Sequence, residues 1–279
     1  MINKMKLGFS VNAFSNHSLI YSIEKISNTG YDGVEIVLDI PHAFLPLTQD
    51  TIIQLKQTLI ENNIEVTNLN SNTVFGWTKN FAKEKFEPSL SNTNEKFRKW
   101  RIEYTKQSID LASTLNSKSI SITSGLNEIK NHNLCLNFFH DSLIEISQYA
   151  EKKNILIGIE YEPGLLIDNS DKVWNLVSKD FKNIGLNLDT CHAMVNNENI
   201  STIIKKFRKK IFHTHISDCK NKIHYHLLPG EGEMDFKNFY DSLKDINYSG
   251  FLTAELYTYS KFPEDAASKA FNYLKNLIK

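Results

Sequence analysis

Four side chains that could bind a metal or carry protons follow or end short apolar segments in the second half of the chain. Glu160, Asp189 and Glu255 each close such a segment, and His215 lies near the end of another, IFHTHIS. Burying any one of them alone would be costly, because an ionised group loses its hydration without gaining a partner. One divalent cation would satisfy all four. Three carboxylates and one imidazole, without a thiolate, favour manganese, with magnesium, cobalt or zinc as alternatives.

Histidines are concentrated in the same part of the sequence. Five of the nine histidines lie within residues 192–226, far more than an even distribution would place there: His192, His213, His215, His224 and His226. In an extended strand His213 shares the face of His215, one pleat deeper. We therefore expect His213 to support the site from below or to lie in the core.

The elements that would position these residues alternate between strand and helix. Segments with helical spacing separate eight apolar runs of strand length, at residues 6–11, 33–38, 64–70, 119–124, 155–160, 184–189, 211–217 and 251–256. Eight such units fit a closed (β/α)8 TIM barrel of the α/β class better than an open doubly wound sheet. No G-x-G-x-x-G motif follows the first run. No linker interrupts the pattern, so we predict a single domain over residues 1–279.

Active sites of such barrels form at the carboxyl ends of the strands, so the four groups should converge on one rim. Two connections at that rim are unusually long, residues 71–94 and 218–234, and are candidate lids or binding loops. In the first of them Phe75, Trp77 and Phe81 could form an apolar cover that excludes water. Simple packing of the aromatic rings is the alternative.

Composition excludes several classes of partner. Lysine plus arginine and aspartate plus glutamate each number 32 in 279 residues, so there is no net charge to attract nucleic acid. Three cysteines without a C-x-x-C pair suit reduced thiols in a cytoplasmic protein. The apolar run in MINKMKLGFSVNAF is too short for a signal peptide and no run reaches membrane-spanning length, so we expect neither feature. The expected partner is a small molecule, and a homo-oligomer is compatible with the sequence.

Several motifs carry a family resemblance. LDTCH, HTHISD, HYHLLPGEGEMDF and AEL resemble the signature of the xylose isomerase-like TIM barrels, the superfamily of sugar phosphate isomerases and epimerases and of endonuclease IV. GYDGVEIV extends the resemblance to the second strand, so that it covers nearly the whole chain. In the epimerase branch the resemblance implies an acid–base pair, Glu160 and Glu255, and a substrate contact from His192. It also implies one divalent cation, bound by Glu160, Asp189, His215 and Glu255.

The endonuclease IV branch fits less well. Its trinuclear zinc site needs histidines at the ends of strands three and four, where this chain has NLNSNT and ITSGLN. The HYH segment places His224 where that branch has an aspartate and His226 where it has a zinc-binding histidine. A second metal bound by His192, His224 and His226 therefore stays open, beside the simpler hypothesis that His224 and His226 orient substrate hydroxyls or a phosphate. Glu162 should contact substrate or form a salt bridge.

The predicted activity is a metal-dependent isomerase or epimerase for a ketose or its phosphate, working through an enediolate. One carboxylate would remove a proton and the other would return it on the opposite face. A dehydratase of the inosose or dehydroshikimate type could use the same site, because an enediolate can also expel a β-hydroxyl. A binder without chemistry is a third hypothesis. Lys83, Lys85, Arg98 and Arg101 form either a phosphate site or a solvated helix face.

Overall fold

Eight parallel strands close into a barrel. The computed structural model describes residues 5–77 and 86–279. The strands are β1 Lys6–Ser10, β2 Gly33–Val37, β3 Glu65–Asn70, β4 Ser119–Ile122, β5 Leu156–Ile159, β6 Ile184–Asp189, β7 Ile211–Ile216 and β10 Phe251–Ala254. Around the barrel the strand order is β1-β10-β7-β6-β5-β4-β3-β2. The predicted TIM barrel is confirmed, and all eight predicted strands are present.

Helices cover the outside of the barrel. They are α1 Leu19–Thr29, α2 Gln49–Glu61, α3 Glu95–Thr114, α4 His132–Lys152, α5 Ser170–Asp180, α6 Thr190–Val195, α7 Ile200–Phe207, α8 Phe236–Asp245 and α9 Pro263–Leu277. Several begin at a side-chain cap, such as Ser18 before α1 and Asn199 before α7. None of the helices within the described residues has both the length and the apolarity needed to cross a membrane.

The second long connection, residues 218–234 and a candidate lid or binding loop, has a regular structure of its own. It contains an antiparallel hairpin, β8 Asp218–Lys220 and β9 Ile223–Leu227. Its strands are short and β9 is partly exposed, so the sequence contains no apolar run that would predict the hairpin. The hairpin matters for the site because β9 contains His224 and His226.

The apolar core lies mainly between the helices and the sheet, whereas polar groups occupy part of the barrel interior. Three helical side chains, Ile23, Ile109 and Phe139, are fully buried where the helices pack against the sheet. Inside the barrel, Glu35 and Asn68 are also completely buried and are joined by a hydrogen bond. Buried polar groups inside a barrel reduce stability unless they are paired. Their presence therefore indicates the region where function is expected.

Candidate active site

Four potential metal ligands converge at the carboxyl ends of β5, β6, β7 and β10. Glu160 follows β5 directly, Asp189 ends β6, His215 is the penultimate residue of β7, and Glu255 follows β10 directly. These strands are consecutive neighbours in the barrel, and the register aligns Asp189 with His215. One ligand atom from each residue lies within 4.8 Å of the others, and all four are buried. Topology alone therefore brings this predicted quartet together.

The quartet is crowded with negative charge. His215 Nδ1 lies 2.7 Å from Glu160 Oε1 and 3.3 Å from Glu255 Oε2. Burial would lower the pKa of His215, but the carboxylates of Glu160, Glu255 and Glu35 outweigh it and hold this pKa well above its ordinary value. Burial raises the pKa of Glu255 well above its usual range, and the neighbouring carboxylates add to the shift. One imidazolium offsets one of the three carboxylate charges of the quartet, whereas a divalent cation bound by the neutral ring would offset two.

Asp189 provides a more specific indication that the residues fit a cation. Its Oδ1 accepts the backbone N–H of His192 at 2.9 Å. Its buried Oδ2 has no hydrogen-bond partner among the described residues. Burial opposes ionisation of Asp189, yet the nearby histidines lower its pKa to about 2. An ionised, buried oxygen that faces the quartet without a donor is what a metal ligand requires before the metal binds.

A second cluster consists of three histidines from α6 and β9. The Nδ1 atoms of His192 and His226 lie 2.8 Å from the carbonyl oxygen of Tyr161 and 2.9 Å from that of Glu255, respectively. His224 Nε2 lies 2.9 Å from His192 Nε2 and 2.6 Å from His226 Nε2. Burial lowers the pKa of His226 to about 4, so this ring is neutral at physiological pH. The cluster can accept or donate hydrogen bonds, and its geometry is also compatible with metal binding.

Both clusters border one cavity of about 440 Å³. The lining includes the candidate acid–base pair and the predicted substrate contacts, namely Glu160, Glu255, Glu162, His192, His224 and His226. Asn70, Asn72 and Thr123 add neutral polar groups from β3 and the ends of neighbouring strands, and Ile40 and Phe75 add apolar surface. A cavity of this size, with polar groups from several strand ends and some apolar surface, suits a small polyhydroxylated ligand.

The first long connection is held against the cavity by Asp39, a residue that sequence reasoning missed. Asp39 accepts the backbone N–H groups of residues 74, 75 and 76 at 2.7, 2.9 and 2.7 Å. Phe75 lines the cavity, whereas Trp77 packs on Trp100 with ring centroids 4.3 Å apart. Phe81 lies outside the described residues. The described part of the predicted cover thus contains one cavity-lining aromatic ring.

The predicted cationic segment has two arginines within the described residues, Arg98 and Arg101, and their side chains contact other parts of the chain. Arg98 donates to the carbonyl oxygen of Asn92 and stacks over Phe138, and Arg101 is buried with a hydrogen bond to Thr73. Neither arginine lines the cavity. Lys83 and Lys85 lie outside the described residues.

A family model described as a xylose isomerase-like TIM barrel matches residues 23–277. The chain belongs to this family. The resemblance inferred from the sequence motifs is therefore confirmed, and the convergence of functional groups at one end of the strands is the arrangement expected of a TIM barrel.

Relatives of this xylose isomerase-like barrel include a sugar epimerase that matches over the full length and a dehydratase that matches over about half of it. The chain is 24% identical to fructoselysine 3-epimerase of Shigella flexneri over 280 residues, 98% of each chain. It is 26% identical to inosose dehydratase of Clostridium beijerinckii over 155 residues, 48% of this chain and 52% of that one. The crystal structure of the IOLI protein with a bound zinc atom has a TM-score of 0.82 and 24% identity, covering 98% of both chains. The last similarity establishes the fold.

Proposed function

We propose that this protein is a divalent-metal-dependent sugar epimerase or isomerase. The observation that carries the proposal is the placement of Glu160 and Glu255. They follow β5 and β10, which β6 and β7 separate in the barrel, so the two carboxylates approach the cavity from either side of Asp189 and His215. A base and an acid on two sides of one carbon are what inversion of that carbon requires.

The proposed metal ligands are Glu160, Asp189, His215 and Glu255. The unpaired Asp189 Oδ2 and the oxygen-rich donor set support a hard or borderline cation, with manganese favoured and magnesium, cobalt or zinc as alternatives. When bound, the cation supplies Lewis-acid stabilisation of the negative charge that develops on the substrate oxygens. The zinc atom bound by the structurally similar IOLI protein is in keeping with a divalent metal here.

Glu160 and Glu255 then divide the proton transfer. One of them removes the proton from the carbon next to the carbonyl, and the other returns one from the opposite side. Both carboxylates are buried, which limits the access of bulk water to the carbon between them and so protects the enediolate from other reactions.

The remaining cavity residues are proposed to bind the sugar. His192, His224 and His226 face its oxygens from one wall, and Glu162 contacts a hydroxyl at the rim. The substrate is a small carbohydrate, in keeping with the full-length likeness to fructoselysine 3-epimerase. Three buried, unpaired cysteines are in keeping with a reducing cytoplasm.

Exchange in deuterated water tests the proposal. We expect the manganese-loaded protein to incorporate deuterium into at least one member of a panel of ketoses, with inversion at the exchanged carbon. Glu160→Gln and Glu255→Gln should each lower the rate by about 100-fold or more, since each removes one proton-transfer group. Glu264→Gln, on the surface near Tyr21, is the matched control and should retain the activity. Undiminished exchange in both active-site variants would refute the assignment.

A dehydratase is the second candidate, favoured by the partial likeness to inosose dehydratase. It would use the same carboxylates and differ only in the fate of the enediolate, which loses a β-hydroxyl as water. Exchange accompanied by a new ultraviolet-absorbing enone would identify this reaction. Tight ligand binding without any exchange would instead indicate a non-catalytic binder.

A further inference from the structure

Glu35 is a buried carboxylate that the proposed mechanism has not yet used. It lies in the middle of β2 and is completely buried inside the barrel. β2 is separated from β7 by β1 and β10, so a contact between Glu35 and His215 has to cross the barrel interior. That contact is short: Glu35 Oε2 lies 2.7 Å from His215 Nε2.

The two nitrogens of the His215 ring have different surroundings. Nε2 faces Glu35, whereas Nδ1 faces the quartet, 2.7 Å from Glu160 Oε1. A neutral imidazole carries one proton and one lone pair, and a hydrogen bond at one nitrogen decides which nitrogen keeps the lone pair. A carboxylate accepts hydrogen bonds and cannot donate one when it is ionised. Both ring nitrogens thus face a carboxylate oxygen at the same distance. A cation held by the quartet would take the lone pair of Nδ1, and Glu35 would then accept the N–H that remains on Nε2.

The position of Glu35 is itself fixed by neighbours on β3 and β4. Asn68 Nδ2 donates to the same Oε2 atom at 2.8 Å. The orientation of this amide is not free, because Ser119 Oγ donates to Asn68 Oδ1 at 2.9 Å. The amide nitrogen also lies 2.9 Å from Ser121 Oγ. A chain of hydrogen bonds thus runs from β4 through β3 to β2 and ends on His215.

We propose that Glu35 is a positioning residue for metal binding: it selects the His215 tautomer that carries its lone pair on Nδ1 and aims that nitrogen at Glu160, Asp189 and Glu255. This inference rests on the proposed function, because it assigns a role toward the cation held by those residues. Carboxylates that accept the second N–H of a ligating histidine both orient the ring and increase the basicity of its other nitrogen.

A purely structural role explains Glu35 less well. Its second oxygen, Oε1, is buried and has no hydrogen-bond partner among the described residues. An incompletely satisfied buried carboxylate costs stability, and an apolar side chain of similar volume would pack in the same space at lower cost. Glu35 Oε2 lies 3.3 Å from Nε2 of the buried His213 and only 2.7 Å from His215 Nε2, so its shorter contact is with the ring that belongs to the quartet.

Metal affinity is the direct test. The apo protein would be titrated with Co²⁺, with the visible absorption of the bound ion as the signal. We expect Glu35→Gln to weaken binding by about 10- to 100-fold, and Glu35→Asp, which retains the charge, to recover part of the loss. Asp32→Asn, which removes a carboxylate that accepts a backbone N–H from Leu7 elsewhere in the barrel, is the matched control and should bind as the wild type does.

A second measurement requires no variant at position 35. In Zn²⁺-loaded protein labelled with ¹⁵N-histidine, the His215 signal, assigned by its loss in His215→Gln, should show a proton on Nε2 and none on Nδ1. The inference is overturned by the opposite tautomer, or by wild-type cobalt affinity in Glu35→Gln. If the wild type binds no divalent metal, the proposed function fails as well. If it binds metal and only the Glu35 effects are missing, the inference alone fails.

Discussion

The first long connection should depend on Asp39 for its position at the cavity. In Asp39→Asn one carboxylate oxygen becomes an amide N–H₂ group, which cannot accept a hydrogen bond. Asp39 Oδ2 accepts from residues 74 and 75, and Oδ1 accepts from residue 76. An asparagine side chain has only one oxygen, so it can accept the hydrogen bonds of Oδ2 or that of Oδ1 but not both. The hydrogen bonds that remain no longer have a charged acceptor. Hydrogen bonds to a charged group contribute about 1.5–3 kcal/mol each and neutral ones about 1 kcal/mol.

The loss should therefore be about 3 kcal/mol, which corresponds to a factor of roughly 100 in the ratio of docked to released loop. We expect Asp39→Asn to raise KM for the sugar by up to that factor, because Phe75 then no longer borders the cavity, while the cobalt affinity of the quartet stays unchanged. Limited proteolysis should cut within residues 71–94 faster than in the wild type. Asp32→Asn is again the control. Wild-type KM and protease resistance in Asp39→Asn would show that Trp77 packing on Trp100 alone holds the loop.

Three further predictions concern the metal, the histidine cluster and the hairpin. Removal of the metal by a chelator should lower Tm by about 5–10 °C, because a cation present at 100 times its Kd adds about 2.7 kcal/mol to the free energy of unfolding. In Asp189→Asn the chelator should leave Tm unchanged. An unchanged Tm in the wild type would contradict the prediction. His224→Gln should raise KM about 2- to 10-fold through the loss of a hydrogen bond to the substrate. Elemental analysis should find one metal ion per chain in both the wild type and the variant. Two metal ions per chain in the wild type and one in the variant would instead assign a second cation to the histidine cluster. Asp218 accepts four backbone N–H groups, from Cys219, Gly230, Gly232 and Met234, so Asp218→Asn should cost about 2–4 kcal/mol in denaturant unfolding, whereas wild-type stability would show that those amides find other acceptors.

The barrel could be predicted from the sequence because strands buried on both faces appear as apolar runs, and eight of them alternate with helices. The β8–β9 hairpin could not be predicted in this way. It stands apart from the barrel sheet, and the exposure of β9 alternates, so the segment IHYHL has no continuous apolar character. β8 and β9 are short and pair only with each other. The sequence of this segment is therefore equally compatible with a loop.

The quartet was accessible to sequence reasoning for a topological reason. Glu160, Asp189, His215 and Glu255 belong to strands that are consecutive in the barrel, so knowledge of the strand ends is sufficient to bring them together. Glu35 was not accessible in the same way, because its contact with His215 joins residues 180 positions apart across the barrel interior. One signal was present: in GVEIV the charged residue lies between Val34 and Ile36, and a strand's alternation turns it to the opposite face from both.

The buried polar atoms without partners indicate why the barrel interior is not simply apolar. Among the described residues, these atoms include Glu35 Oε1, Asn187 Oδ1 and Asp189 Oδ2. All three residues contact the active-site histidines: Glu35 and Asn187 reach His215, and Asp189 accepts from His192. Each unpaired atom costs stability, and apolar substitutes would remove that cost. A buried polar atom without a partner beside a candidate site residue is expected where a fold retains locally unfavourable groups for binding and catalysis.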